Sequence, residues 1–200
     1  LAAAVAVSVS GTVKASDLKD VLAGTTGAVT ATVAAGKAAD LVSALELVAN
    51  ADDALKVTIT DTKVDAEYLN NLDGATSIAV NAASVTTITG NAVEVLKAYE
   101  AGADKEISGL GNEAVDLTGA TDANAELVSA INDFTTGLIK LPTVTFDDVA
   151  TTFSLSDLGD LKGITGLKEI NATNGEVDTI NISLKDLLAA NDGKGSIAFA

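Results

Sequence analysis

Hydrophobic and polar positions follow two alternating periods along the chain. Short β-branched runs in which apolar and polar residues alternate predict strands. These runs begin near Val5, Val29, Val57, Ile78, Ile107, Val144, Ile170 and Val177. Between them, apolar residues recur three or four positions apart, which predicts short helices. The predicted helices cover residues 16–22, 38–48, 64–72, 91–102, 122–131, 156–161 and 183–190.

Residues typical of helix ends support this division. Side chains suited to an N-cap stand at or near the predicted starts, where they can accept a hydrogen bond from a free backbone N–H. They are Ser16, Asp65, Asn91, Asp122, Ser156 and Ser183. Glycines follow several helices at positions 24, 74, 102 and 193, where a residue of positive φ commonly ends a helix.

The order of strand, helix and strand recurs at intervals of about 21 to 37 residues. A helix between two strands gives the chain enough length for a right-handed crossover, so consecutive strands can pair in parallel. We therefore predict an α/β fold, an elongated solenoid-like repeat of short parallel strands and short helices. The pattern leaves open whether the repeat forms one body or two subdomains.

Residues 138–170 break this rhythm. They contain the single proline, Pro142, and two of the four phenylalanines, Phe146 and Phe153, with Phe134 just before them. We predict a strand/helix repeat region over residues 1–137, and atypical repeats or a second subdomain over residues 138–200.

The amino-acid composition predicts a core with few aromatic residues. Apolar residues are 48% of the chain, but aromatic residues are 3%, and tryptophan, methionine and cysteine are absent. Alanine, valine, leucine and isoleucine must fill the interior, which favours thin, closely packed layers. Many similar small contacts along a repeat would then stabilise the fold.

The charge restricts the partners. The chain has 12 lysines, no arginine and 28 acidic residues, so its formal charge is −16. Nucleic-acid binding needs a basic surface, which is lacking, and adsorption to an anionic membrane is disfavoured for the same reason. The apolar opening residues are too few to insert into a bilayer. An acidic surface without arginine favours a secreted, extracellular or cell-surface location.

The residue types argue against catalysis. Without histidine, cysteine or arginine, the usual neutral base, the thiol nucleophile and the anion-binding fork are all missing. Paired acids occur at Asp52–Asp53 and Asp147–Asp148, but turn and capping roles explain both pairs. We predict that the chain is not an enzyme. The sequence establishes no cofactor.

Calcium is the strongest chemical candidate, because oxygen ligands cluster in several loops. The candidate ligands are Asp52, Asp53, Asn174, Glu176, Asp178 and Asp192. None of these clusters has the spacing of an EF-hand loop. The alternative is that these residues simply form turns.

Two long stretches carry a resemblance to a known class. Residues 57–82 and 83–119, with phrases such as ISGLGNEAV at 107–115, resemble the Ala/Thr/Asp-rich repeats of giant bacterial cell-surface proteins, and the similarity covers roughly residues 24–137. The segment VDTINISLKDLLAANDG at 177–193 is similar to segments of RTX-type adhesins and surface-layer proteins. The resemblance implies an exported, multi-repeat protein with adhesive, surface-coat or motility-related roles. The chain lacks the Gly-Gly-x-Gly-x-Asp nonapeptide, which puts a calcium roll of that family in doubt.

Both ends of the chain are strand-like and poorly charged. Exposed strand edges recruit further strands, so we predict assembly through Val5, Val7, Val9, Ile197 and Phe199. The expected partners are further copies or neighbouring repeats of the same protein, with a host or cell surface as a further candidate. The sequence thus predicts a structural segment of a bacterial surface, filament or adhesin protein, acting in coating, spacing, adhesion or assembly. A phage decoration or tail-fibre module and a calcium-dependent carbohydrate-binding module are the alternatives.

Overall fold

The structure is a computed structural model, which describes residues 4–45, 48–123, 125–147 and 164–171. Side chains are described up to residue 141. Within these residues the fold is mixed α/β, with five helices and parallel strands. The predicted fold class is confirmed at that level.

The five helices alternate with strands along the chain. They are α1 (Ala15–Gly24), α2 (Ala38–Leu45), α3 (Ala66–Asp73), α4 (Ala92–Ala103) and α5 (Ala125–Asn132). Each was predicted from the spacing of its apolar residues, with bounds that differ by a few positions. Each helix contacts the next one in sequence, so the helices form a row in chain order. The helices predicted at 156–161 and 183–190 lie outside the described residues.

The first three strands form one sheet. Its members are β1 (Val7–Val13), β2 (Val29–Val33) and β3 (Ala54–Lys56), in the order β1-β2-β3. All pairing is parallel, and each residue pairs with one that lies one strand-and-helix unit further on, as Val7 with Val29 and Thr30 with Ala54. Parallel pairing follows from the intervening helix, which supplies the crossover.

The remaining strands form two further sets. β4 (Lys63–Asp65), β6 (Thr87–Thr89), β8 (Ala114–Asp116), β9 (Ile139–Asp147) and β10 (Ile164–Asn171) make a five-stranded sheet, and β5 (Val80–Asn81) pairs with β7 (Ile107–Ser108). The sheet continues from β8 to β9 across the predicted boundary at residues 137–138. The domain division stays a prediction.

One hydrophobic core joins the strands to the helices. In β2 the inward positions Val29, Ala31 and Val33 are buried while the two threonines between them are exposed. Leucines of the helices complete the same buried cluster, among them Leu18, Leu45 and Leu69. Among the described residues, the largest fully buried side chains are Tyr99 and eleven leucines and isoleucines, so the core is built mainly from aliphatic residues, as the composition indicates.

Several helix-end predictions were wrong. Lys14, not Ser16, occupies the N-cap position of α1, and the Ser16 hydroxyl donates to Asp17 instead. Gly74 has a φ of −63°, because the chain leaves α3 through a right-handed turn. Among the described residues, the glycines of positive φ are Gly11 within β1 and Gly90, Gly109 and Gly111 in loops, and none of them ends a helix.

Candidate functional site

A shallow groove lies where β4, β6 and β8 end and α3 and α4 begin. Its volume is about 410 Å³. It forms because neighbouring parallel strands end at one edge of the sheet, where the following loops leave a crevice. The residues that line it are Lys63, Asp65, Glu67, Thr89, Gly90, Asn91, Glu94, Asp116, Thr118 and Gly119.

Strand register places the polar residues of the groove in one row. Asp65 of β4 pairs with Thr89 of β6, which pairs with Asp116 of β8. The Lys63 ammonium lies 3.0 Å from Asp116 Oδ2, so it bridges from β4 across β6 to β8. This is the one ion pair among the side chains that the structure describes.

Among the acids of the groove, Asp116 has the most strongly shifted pKa. The Thr118 hydroxyl donates to Asp116 Oδ1 at 2.6 Å. This hydrogen bond, followed by the one from Lys63, lowers the pKa of Asp116 to about 2. Asp116 is therefore ionised at neutral pH and is held between two donors.

Asp65 caps the helix that follows it. Its Oδ1 accepts a hydrogen bond from the Glu67 N–H at 3.0 Å, as predicted for an N-cap residue. Gly90 has a φ of +123°, and a Cβ there would lie 3.0 Å from the same oxygen. The backbone conformation favours glycine at this position, and the close carboxylate leaves little room for a side chain.

Three of the four acids of the groove have protein partners. Asp65 caps α3, Asp116 binds Lys63 and Thr118, and Glu94 Oε2 accepts from Asn70 Nδ2 at 2.6 Å. In the described part of the chain, no three acids are grouped so that they could hold a metal ion. The contacts of these side chains thus connect neighbouring strands and helices. The surface of the groove is weakly acidic.

Two of the predicted calcium ligands lie in the loop before β3. Asp52 is exposed, whereas Asp53 is 1% exposed. Asp53 Oδ1 accepts from Val29 N at 2.7 Å, and Oδ2 accepts from Asn50 N at 3.0 Å. The structure gives Asp53 a role in joining this loop to β2. The other candidates, Asn174, Glu176, Asp178 and Asp192, lie outside the described residues.

A threonine after each of α1, α3 and α5 bonds backbone that lies 20 to 23 residues earlier in the chain. Thr25 Oγ1 donates to Val5 O, and Thr135 Oγ1 donates to Glu113 O at 2.6 Å. Thr76 Oγ1 lies 2.9 Å from Leu55 O and 3.1 Å from Asp53 O. Each of the three hydroxyls also accepts from the backbone N–H two residues later. Each of these threonine hydroxyls thus bonds one backbone group of its own turn and one backbone group earlier in the chain.

Sequence reasoning missed this contact, although a signal exists. Thr-Thr-Gly occurs at 25–27 and again at 135–137, and Thr-Ser stands at 76–77. In both Thr-Thr-Gly copies the glycine lies against the backbone of the preceding unit. A Cβ on Gly27 would lie 2.5 Å from the Val5 carbonyl carbon, and one on Gly137 would overlap the backbone of Glu113.

A buried polar cluster surrounds Glu113 in the turn before β8. Glu113 is 1% exposed, and its Oε2 accepts from Gly111 N at 2.8 Å and from Asn112 N at 3.2 Å. The Tyr99 hydroxyl lies 3.4 Å from the same oxygen, and the Tyr99 ring stacks on Phe134 with a centroid distance of 6.1 Å. Burial, as the main cause, raises the pKa of Tyr99, so its hydroxyl stays a proton donor.

The predicted assembly residues of the first strand lie at the end of the described sheet. Val5 is 56% exposed, and Val7 and Val9 are half-buried. Among the described residues, β1 pairs with β2 alone. Ile197 and Phe199 lie outside the described residues.

Comparisons with known proteins give no relative: no family model, no curated protein and no solved structure matches the chain. A search of the described helices for an apolar segment of bilayer-spanning length also finds none. The function must therefore be argued from the contacts themselves.

Proposed function

We propose that this chain is an extracellular structural repeat segment of a bacterial surface, filament or adhesin protein. Its role is to coat, space, adhere or assemble, and it catalyses no reaction. The units stack in line as a solenoid-like repeat, and polar side chains join each unit to the next.

The observation that carries this proposal is the recurring threonine contact between units. Thr25, Thr76 and Thr135 each follow a helix, and each bonds backbone that lies about one unit earlier in the chain. The contact recurs after every second helix, α1, α3 and α5, and a contact that recurs at a regular interval is typical of repeat architectures, where each unit is stabilised mainly by its neighbours.

Strand register gives a second, independent line of support. Lys63 pairs with Thr87, Thr87 with Ala114, and Val115 with Ile139. The residue offset stays close to one unit at each step, so each of these steps adds one strand to the five-stranded sheet, while β5 and β7 form a separate pair. A repeat of this kind can contain any number of units, which suits a protein that spans a long distance.

The buried polar groups also favour a structural role. Asp53, Thr76, Glu113 and Thr135 are buried, and each has hydrogen bonds to backbone of its own or a neighbouring unit. Catalytic groups are expected instead in a concave pocket, with nucleophile and base in mutual reach. Asp53, Thr76 and Thr135 thus bond backbone more than 20 residues away, whereas the Glu113 carboxylate bonds its own turn.

The acidic surface and the resemblance to giant surface-protein repeats support the extracellular part of the proposal. A formal charge of −16 on 200 residues keeps a long, repetitive body soluble through self-repulsion. It also disfavours adsorption to anionic membranes, so contacts with a cell would occur through protein or carbohydrate.

Surface labelling of the source cells tests this function. Antibodies raised against the purified chain should bind intact cells, and external protease should remove the signal while a cytosolic marker stays intact. Signal only after permeabilisation would contradict the extracellular role. Signal only on virions would favour the phage alternative.

A further inference from the structure

We propose that the stack of units has a polarity: side chains of each unit complete the backbone of the unit before it, so that loosening at one joint spreads toward the N-terminus. The units concerned contain α2, α3, α4 and α5, and they comprise residues 25–52, 53–75, 76–105 and 106–134. The inference concerns how the fold opens, and it goes beyond the proposed function.

The unit of α3 completes the unit of α2. Asp61 Oδ2 accepts from Ala38 N, the first N–H of α2, at 2.7 Å. Asp53 accepts from Val29 N at 2.7 Å and from Asn50 N at 3.0 Å. Two carboxylates of one unit thus hold the strand, the helix start and the last loop of the unit before it.

The unit of α4 completes the unit of α3 in the same direction. Thr76 Oγ1 lies 2.9 Å from Leu55 O and accepts from Leu55 N at 2.9 Å. Thr89 Oγ1 donates to Val64 O at 3.2 Å. In each of these bonds the side chain belongs to the later unit and the backbone group belongs to the earlier one.

The unit of α5 completes the unit of α4. Asp122 accepts from Ala92 N at 2.8 Å and from Val93 N at 3.0 Å, the first two N–H groups of α4. Asn91, the N-cap residue of α4 itself, makes no side-chain capping hydrogen bond. The start of α4 is therefore held by a carboxylate of the next unit.

Asn70 is an exception to this direction. It lies in α3, and its Nδ2 donates to Glu94 O at 3.0 Å and to Glu94 Oε2 at 2.6 Å, both in α4. This contact uses acceptors of α4 and leaves the N–H groups of Ala92 and Val93 to Asp122. The N-terminus of α4 thus still depends on the later unit.

Burial makes the dependence one-sided. Ala38 and Ala92 are at most 1% exposed, so their N–H groups lose a buried hydrogen bond when the later unit moves away. Asp61 and Asp122 are partly exposed, so water can hydrate their carboxylates when the earlier unit opens. The cost of an open joint therefore falls on the earlier unit. A loosened unit then completes its own predecessor less well, which carries the effect toward the N-terminus.

Native-state hydrogen exchange of the full chain, followed helix by helix, tests the polarity. Asp122 precedes α5 in the chain, so a local cap would protect α5, whereas the polarity assigns Asp122 to α4. We expect Asp122→Ala to speed exchange of the α4 amides about fivefold or more, as loss of a cap predicts, and that of the α3 amides by a smaller factor, with α5 unchanged. Asp133→Ala is the matched control, because it removes the same charge from an exposed position, and it should change no helix.

Thr76→Val tests a joint that uses a hydroxyl instead of a carboxylate, and it carries the test if Asp122→Ala does not fold. It should speed exchange in α3 and, by a smaller factor, in α2, while α4, the helix of its own unit, keeps its protection. Thr76→Ser retains the hydroxyl and should restore both helices. Thr60→Val, at an exposed threonine, is the control.

A larger effect on α5 than on α4 in Asp122→Ala, or on α4 than on α3 in Thr76→Val, overturns the polarity. So does an equal change in all helices, which would show that the stack opens as one body. A change confined to one helix overturns the spread toward the N-terminus. None of these results alters the surface-labelling test of the proposed function.

Discussion

The carboxylate of Asp61 caps a helix that begins 23 residues earlier: its Oδ2 accepts from the Ala38 backbone N–H at 2.7 Å. Asp122 does the same for α4, accepting from Ala92 N at 2.8 Å and from Val93 N at 3.0 Å. In these two helices, the capping group comes from the following unit. Helix stability and unit stacking are therefore coupled.

Removing the Asp61 carboxylate should destabilise α2. Loss of a capping side chain costs about 1 kcal/mol, so we expect Asp61→Ala to lower the free energy of unfolding by about that amount. Asp61→Asn retains an acceptor oxygen and should lose less. Hydrogen exchange should show faster exchange of the α2 amides in the alanine variant, with α4 unchanged. Equal protection of α2 in both variants would contradict the cap.

Thr135 should contribute to stability through its hydroxyl and not through its methyl group. Thr135→Val keeps the shape but leaves Glu113 O and Gly137 N without their partner, and an unsatisfied buried group costs about 1–3 kcal/mol. Thr136→Val is the matched control, because Thr136 is exposed. Urea denaturation of the two variants measures the difference. Equal midpoints would show that the threonine contact is not stabilising.

Gly137 should tolerate no side chain. A Cβ there would overlap the backbone of Glu113, so Gly137→Ala must push the two units apart, and overpacking of this kind costs about 1–3 kcal/mol. Gly24 has open space around its Cβ position and ends α1, so Gly24→Ala should be neutral or stabilising. Thermal unfolding compares them, and a Gly137→Ala chain as stable as the Gly24→Ala chain would refute the close approach.

The Asp116 contacts should make stability depend on pH in an acidic window. Because the folded state lowers the pKa of Asp116 from 3.8 to about 2, its contribution is complete above pH 3.8 and is lost as the pH falls toward 2. Asp116→Asn should remove this dependence. Thr118→Val and Lys63→Met should each raise the pKa of Asp116, since both residues donate a hydrogen bond that lowers it. Carbon-detected NMR titration measures both shifts, and an unchanged pKa in either variant would contradict that contact.

The helices and the parallel pairing could be predicted because both depend on local signals. The apolar spacing of ASDLKDVLAG gives α1, and a helix between strands favours parallel pairing. β4, β6 and β8, of three residues each, were not predicted. Their sequences, KVD, TIT and AVD, share one buried aliphatic residue between two polar or small ones.

The contacts between units could not be predicted from local sequence. Asp122 precedes α5 and was expected to cap it, but its carboxylate bonds α4 instead, because stacking brings the α4 N-terminus within reach. Asp53 was read as a calcium candidate, and its backbone partner Val29 lies 24 residues away. Such partners become visible only once the register of the strands is known. The calcium prediction itself stays a prediction.

Electron cryotomography of intact source cells, with a gold-labelled Fab fragment against this chain, tests the central claim most directly. A structural repeat segment of a surface protein predicts label outside the cell envelope at regular spacing along a coat or filament. Label confined to the cytosol, or scattered without any ordered assembly, would contradict it.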